Sequence, residues 1–229
     1  MISLATLAVL VLAGGADVCF EQTTVVGSGG RADGAGVATR VCHSGRKMRL
    51  EAAGNPGGPA FVLRLDEGRA FRLDPERKRA VLIDADRLRA QARTDLSMAG
   101  DLMGLANARP RTTPLARGRT VAGYACQGFR ITAGTTIFDL YVTQAVPLKV
   151  DAFADFLEWT GARVSLGTIL EQIRALPGFP LETRSRVSVM GETQETRTSV
   201  TKVTVGPVAA KLFEVPAGWE IVQEETEDR

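Results

Sequence analysis

The sequence predicts a mainly β protein of the α+β class: an antiparallel sheet with amphipathic helices laid over one face. Three observations carry this. First, Arg119–Thr143 alternates with period two. Phe129 and Ile131 fall on one side of a strand, Arg130 and Thr132 on the other; on the return, Phe138, Leu140 and Val142 alternate with Asp139 and Tyr141. That is the pattern of strands with one buried face. Second, the chain before it reads as a meander of short strands, each apolar on one side. Third, apolar residues recur at helical spacing in three other stretches, and one-sided strands need such a cover.

Taken in order, Ile2 to Ala13 is an apolar run of signal-peptide length, too short to span a bilayer, and Gly14-Gly15-Ala16 supplies small residues for cleavage. Residues 1–16 are therefore expected to be a cleavable signal peptide and the protein to be periplasmic, with no later transmembrane segment. Its n-region has no Lys or Arg. Cys19 follows Asp17-Val18, which does not fit the small residue that lipidation requires before the modified cysteine.

Phe20–Val26 and Val37–Cys42 are expected to pair as a hairpin across a Gly-rich loop. A symmetric register sets Cys19 opposite Cys42, Phe20 opposite Val41 and Glu21 opposite Arg40, the last two being favourable cross-strand pairs. The chain has three cysteines. In an oxidising compartment one pair can bridge, and Cys19–Cys42 is the expected disulfide, with bridges to Cys126 as the alternatives.

Strands follow at Arg46–Ala52, with Met48, Leu50 and Ala52 inward, and at Ala60–Asp66, with Phe61, Leu63 and Leu65 inward. Arg69–Leu73, with Phe71 and Leu73 inward, is joined to Lys78–Ile83 by a turn around Pro75, whose ring presets φ. From Asp84 to about Ala106 the period lengthens, and Leu88, Ala92, Leu96, Ala99 and Met103 mark an amphipathic helix. Asn107–Gly118, with two prolines, is expected to be a connection. Gly134 marks the turn between the central strands. Helices are expected after Asp151, with Phe153, Phe156 and Leu157 on its apolar side, and after Ser165, with Leu166, Ile169, Leu170, Ile173 and Leu176 in one stripe. Pro177-Gly178 stops the second. Leu181–Met190 and Glu192–Val205 are strands, and Lys211–Pro216 closes the fold. Residues 17–222 form a single domain; 223–229 are an acidic, frayed tail.

Composition bounds function more by exclusion. Of 229 residues, 45% are hydrophobic and 24% charged, ordinary for a globular protein, and a net charge of +2 gives no case for nucleic acid. His43 is the only histidine, beside a turn where a surface residue is expected, and no cysteine cluster accompanies it. No zinc site, other metal or cofactor is expected. Ser44 and Ser97 lie in no nucleophile elbow. The acidic pairs Asp84/Asp86 and Asp66/Glu67 sit where strand ends and helix starts favour carboxylates for local reasons. Gly27-Ser28-Gly29-Gly30 precedes no helix, so it is a loop and not a phosphate cradle. No catalytic residues are assigned, and the protein is not expected to be an enzyme.

Several short motifs resemble an uncharacterised family of exported bacterial domains whose members look like the outer-membrane lipoprotein carrier fold of LolA, LolB and RseB. They are Lys47-Met48-Arg49, Leu73-Asp74-Pro75 with Lys78, Gly123-Tyr124-x-Cys126, Lys202-Val203 and Phe213-x-Val215-Pro216-x-Gly218, in that order over most of residues 20–222. The sequence departs from the family in carrying Tyr141 where a tryptophan is frequent, and in a longer helical stretch over Asp151–Leu176. The resemblance implies a strongly curved antiparallel sheet, an unclosed half-barrel, with helices covering its concave face. It implies an exported binding protein that holds a lipid, a lipoprotein acyl chain or another apolar ligand. The inward residues Met48, Leu50, Phe61, Leu63, Phe71, Phe129, Ile131, Phe138 and Leu140 are the expected contacts, each of which also serves as core. The other expectation is an envelope protein-interaction or sensor module without a small-molecule ligand. It would dock its partner on an edge strand or on an outer arginine-rich face made by Arg40, Arg49, Arg64 and Arg72. The sequence carries no signal for oligomeric state.

Overall fold

The structure, a computed structural model, describes residues 16–28, 31–32, 36–84, 108–148, 150, 163–189 and 192–223. The expected signal peptide (except Ala16), nearly all of the helix over Asp84–Ala106, the helix after Asp151 and the acidic tail beyond Gln223 lie outside the described residues.

The first seven strands are β1 (Val18–Ser28), β2 (Arg31–Ala32), β3 (Val37–Ser44), β4 (Lys47–Ala52), β5 (Ala60–Arg64), β6 (Arg69–Asp74) and β7 (Arg79–Ile83). The hairpin of β1 and β3 has the expected register: Cys19 faces Cys42, Phe20 faces Val41 and Glu21 faces Arg40. β3 to β7 then pair in sequence as an antiparallel meander.

The second half holds β8 (Arg111–Pro114), β9 (Arg119–Val121), β10 (Tyr124–Ala133), β11 (Thr136–Thr143), β12 (Phe179–Val189), β13 (Glu192–Val205) and β14 (Glu220–Gln223). Ala133 pairs with Thr136, so Gly134 opens a two-residue turn as expected. Its φ of +57° suits glycine at the first position of a hairpin turn. β8 was not expected within the proline-bearing connection. It is an edge strand whose Pro114 lies opposite Phe129, and an edge is where a sheet tolerates proline. One α-helix is described, α1 (Arg163–Arg174), where the stripe after Ser165 predicts one. A 3-10 turn covers Ala210–Phe213.

The fourteen described strands form one large sheet, in the order β14-β7-β6-β5-β4-β3-β1-β13-β12-β11-β10-β8, with β2 and β9 beside the path. The first long strand thus pairs with the last long one. Two features correct the expected fold class. The sheet is mixed, because β14 runs parallel to β7; the chain reaches that edge after crossing a face of the sheet, so it need not return by a hairpin. The sheet is also open and not strongly curled. Strand pairing bends most where an extra residue is inserted, and the described ladders hold two register shifts, at Glu21/Gln22 against β13 and at Tyr141/Val142 against β12.

The meander is buried on both faces, not one. Met48, Leu63 and Ala70 lie opposite one another on one face and pack with Phe20, Phe179 and Leu181. On the other face Val62 lies opposite Phe71, and Cys19, Cys42, Ala60, Leu73 and Ala80 pack around Phe213, which is 1% exposed. The C-terminal segment supplies that second cover. A third apolar cluster joins Ile131, Ala133, Leu140 and Val142 of β10 and β11 to Ile169 and Leu176 of α1 and its C-terminal turn.

Candidate functional site

The expected ligand contacts separate into three groups. Met48 and Leu63 are buried in the first cluster, with half-buried Phe61 beside them. Leu50 shares their face but is 36% exposed, so its expected inward place is corrected. On the same strand Arg49 and Glu51, expected to face solvent, are buried instead. The segment around Phe213 covers their side of β4, and Arg49 donates to the Leu212 carbonyl at 3.2 Å. Phe71 is on the opposite face from Leu63, since it pairs with Val62. The remaining four come together. Phe129 lies opposite Leu140 and Ile131 opposite Phe138. Ile131 and Leu140 form a buried floor, and Phe129, Phe138 and Ile173 are half-buried around it.

A groove of about 640 Å³ opens on the face that carries Phe213, between the sheet and Gly206–Leu212. None of the nine expected contacts lines it. Cys19 lines it and is bridged to Cys42, the pairing expected from the hairpin register. Beside the disulfide, the Glu51 carboxylate accepts from Arg49 Nε at 2.8 Å and Arg40 Nη1 at 3.2 Å. Glu51 is buried between the two cations, with Arg40 reaching the surface, so the three side chains form a partly buried ion triad.

The four arginines expected to make one outer face do not. Arg40 and Arg49 are committed to Glu51, and Arg64 to Asp66 and Glu67. Its hydrogen bonds hold the Asp66 carboxyl below the usual range. Arg72 faces the other way, because it pairs with Phe61 while Arg64 alternates with Leu63.

Sequence reading missed a more concentrated cluster in the other half. Glu182 of β12 is 2% exposed. Its carboxylate accepts from Arg119 at 2.5 Å, Arg184 at 2.7 Å, Arg197 at 3.0 Å and the Ser199 hydroxyl at 3.4 Å. Burial would raise the carboxyl's pKa; bonds from Arg184 and Arg197 outweigh it and hold it below the usual range. Arg119 also stacks over Tyr141, 4.8 Å from the ring centre. The signal in the sequence was the alternation Glu182-x-Arg184-x-Arg186, facing Glu195-x-Arg197 across a hairpin. Its meaning depends on register.

His43 is 9% exposed, and its Nδ1 is buried without a hydrogen-bond partner. This corrects the expected surface histidine: β3 extends to Ser44, and His43 packs between Val18 and Met48 on its neighbouring strands. Cys126 is a free, buried thiol, and burial pushes its pKa up, the behaviour of a small hydrophobe. Among the described residues no group of three His, Cys, Asp or Glu side chains is placed to hold a metal ion. Among them, too, no helix is long and apolar enough to cross a membrane. A structural disulfide is the mark of an extracytoplasmic protein.

Residues 111–219 match a domain of unknown function, DUF4412. No curated protein matches the chain. Among solved structures, the chain is similar to an uncharacterized conserved protein from Thermus thermophilus. That match has 10% identity and a TM-score of 0.47, covering 92% of this chain and 91% of the other. It is similar to MucB at 14% identity and a TM-score of 0.42, covering 90% of this chain and 60% of MucB; MucB has also been solved in complex with periplasmic MucA. It is similar to PNGF-II at 12% identity and a TM-score of 0.39, where it covers 91% of this chain but spans only 31% of the other.

Proposed function

We propose that this is an exported, non-catalytic binding protein of the cell envelope, which holds an acyl chain or another apolar ligand against β10 and β11 beneath α1. The observation that carries the reading is the arrangement of Phe129 and Phe138. Both rings are only half-buried, yet both stand on a floor of fully buried Ile131 and Leu140 beside Ile169. An apolar ligand inserted there removes aromatic surface from water at about 25 cal/mol per Å² without specific polar contacts. Met48, Phe61, Leu63 and Phe71 belong to other clusters and contribute core in this reading, and Leu50 is exposed. Removal of residues 1–16 would leave a single domain over 17–222 in the periplasm, where the disulfide persists.

The test is native mass spectrometry of protein from an envelope fraction, followed by solvent extraction of whatever is bound, and uptake of a fluorescent fatty acid by delipidated protein. A discrete added mass of lipid size is expected, with uptake that Phe138→Asp abolishes in a variant that still melts cooperatively. A ligand-free mass together with no uptake overturns the proposal.

A further inference from the structure

The Glu182 cluster carries more positive charge than its own fold uses. Three guanidinium groups converge on one carboxylate, which leaves two positive charges without a counter-charge there among the described residues. The neighbouring arginines are neutralised in pairs: Arg130 grips Asp139 through two bonds of 2.6 and 2.7 Å, and Arg186 holds Glu195 at 2.6 Å. The surplus is therefore localised. It is also presented outward, since the side chains of Arg184 and Arg197 are 42% and 51% exposed while Glu182 lies beneath them at 1%.

Register makes the two exposed guanidinium groups a pair. Arg184 lies directly opposite Arg197, and Asp139 lies opposite Arg184. Like charges facing each other across a ladder are unfavourable unless an anion lies between them. Glu182 provides one from below, using only Nε of Arg184 and Nη2 of Arg197. A guanidinium has five N–H donors, so each fork keeps donors for a second anion from above. Beside them is a hollow of about 270 Å³, bounded by Ile137, Asp139, Arg184, Arg186, Glu195 and Arg197. The three arginines among them are held in place by bonds to acidic neighbours, so little rotamer freedom is lost when a ligand docks.

We propose that this face of β11–β13 is a docking surface for an acidic polypeptide segment, one of whose carboxylates seats between Arg184 and Arg197. The surrounding charges select that occupant. Asp139 and Glu195 border the hollow and interrupt the cationic surface, whereas an unbroken cationic patch is the fitting surface for a densely anionic bilayer. A polypeptide supplies a carboxylate at one point and amide or basic groups at the next, matching the alternation of sign. The surface is independent of the apolar ligand proposed above. Arg130 and Asp139 alternate with the residues that face α1, so they lie on the other side of the sheet.

The experiment is fluorescence anisotropy of the whole folded protein with a labelled Glu-Ser repeat peptide, its Gln-Ser counterpart, and phosphatidylglycerol vesicles as a separate probe. The Glu-Ser peptide is expected to bind, to weaken with added salt, and to lose at least about tenfold in affinity in Arg184→Gln and Arg197→Gln. Arg197→Lys, which keeps charge but loses the planar fork, should also weaken it. Arg72→Gln, an exposed position on β6, should not. Arg197 is the more exposed of the pair, so its variant decides the matter if the Arg184 variant does not fold. Absence of Glu-Ser binding, or equal binding by the folded arginine variants, overturns the proposal. So does binding of the vesicles alone through the same arginines.

Discussion

His43 shows how burial turns a single titratable residue into a determinant of stability. Desolvation lowers its pKa below 6.5, and the carboxylate of Asp17 opposes this only in part. The unfolded chain therefore binds a proton at a pH where the folded chain does not. Stability from this group is complete above about pH 6.5 and is lost as pH falls through the lower, folded value. Urea unfolding at pH 7 and pH 5 should show the wild type losing stability towards pH 5, and His43→Leu should flatten that dependence. An unchanged slope in the variant would assign the effect elsewhere. Glu182 differs in kind: its three arginines more than replace the water it lost, so it stays charged. The lone histidine could be noted in the sequence; its burial could not, because a period of two assigns His43 to a face of β3 without saying what covers that face.

At the scale of elements, the β1–β3 hairpin is fixed by its own residues. Cys19–Cys42, Phe20–Val41 and Glu21–Arg40 are direct partners, and each pair favours the same register. The disulfide joins positions separated by 23 residues. Closing a loop of that length restricts the unfolded chain by about 3 kcal/mol in the chain-entropy account. Replacing both cysteines by serine should lower the unfolding free energy by about that amount in denaturant titration, with Cys126 left as it is. A much smaller loss would mean the reduced chain already keeps the hairpin closed. The connection from α1 to β12 is constrained in another way. Gly178 has φ of +140°, and a Cβ there would lie 2.4 Å from the Thr143 carbonyl oxygen. The sequence marks this point as the end of a helical stripe, while the close approach of β11 that requires glycine is a tertiary fact.

At the scale of the molecule, β1 is the seam between the halves: it pairs with β3 on one side and with β13 over Val18–Ser28 on the other. The matched region, 111–219, contains β13 but not β1. Expressed alone, that region should present β13 as a long unpaired edge and self-associate, since open edges template further pairing. Size-exclusion chromatography should show oligomers, and a peptide spanning Val18–Ser28 should restore a soluble, folded form. A monomeric, cooperatively melting fragment without the peptide would show that the second half folds independently.

Local sequence pattern by itself determined most strands through period-two alternation, the β1–β3 register with its disulfide through favourable cross-strand pairs, the turn through Gly134, and the helix around Ser165 through helical spacing. These follow from contacts between near neighbours in the chain, which local spacing encodes. Only the tertiary structure decided which face of each strand is buried, that the sheet is mixed, open and weakly curled, and that Phe213 and its flanking segment cover a second face. It alone brought Arg119, Arg184 and Arg197 onto Glu182 and left Leu50 exposed. The reason is physical: a period of two assigns residues to two faces without saying what covers either. Arg119 and Glu182 lie far apart in sequence, so their meeting depends on the order in which strands pair, which no local pattern contains.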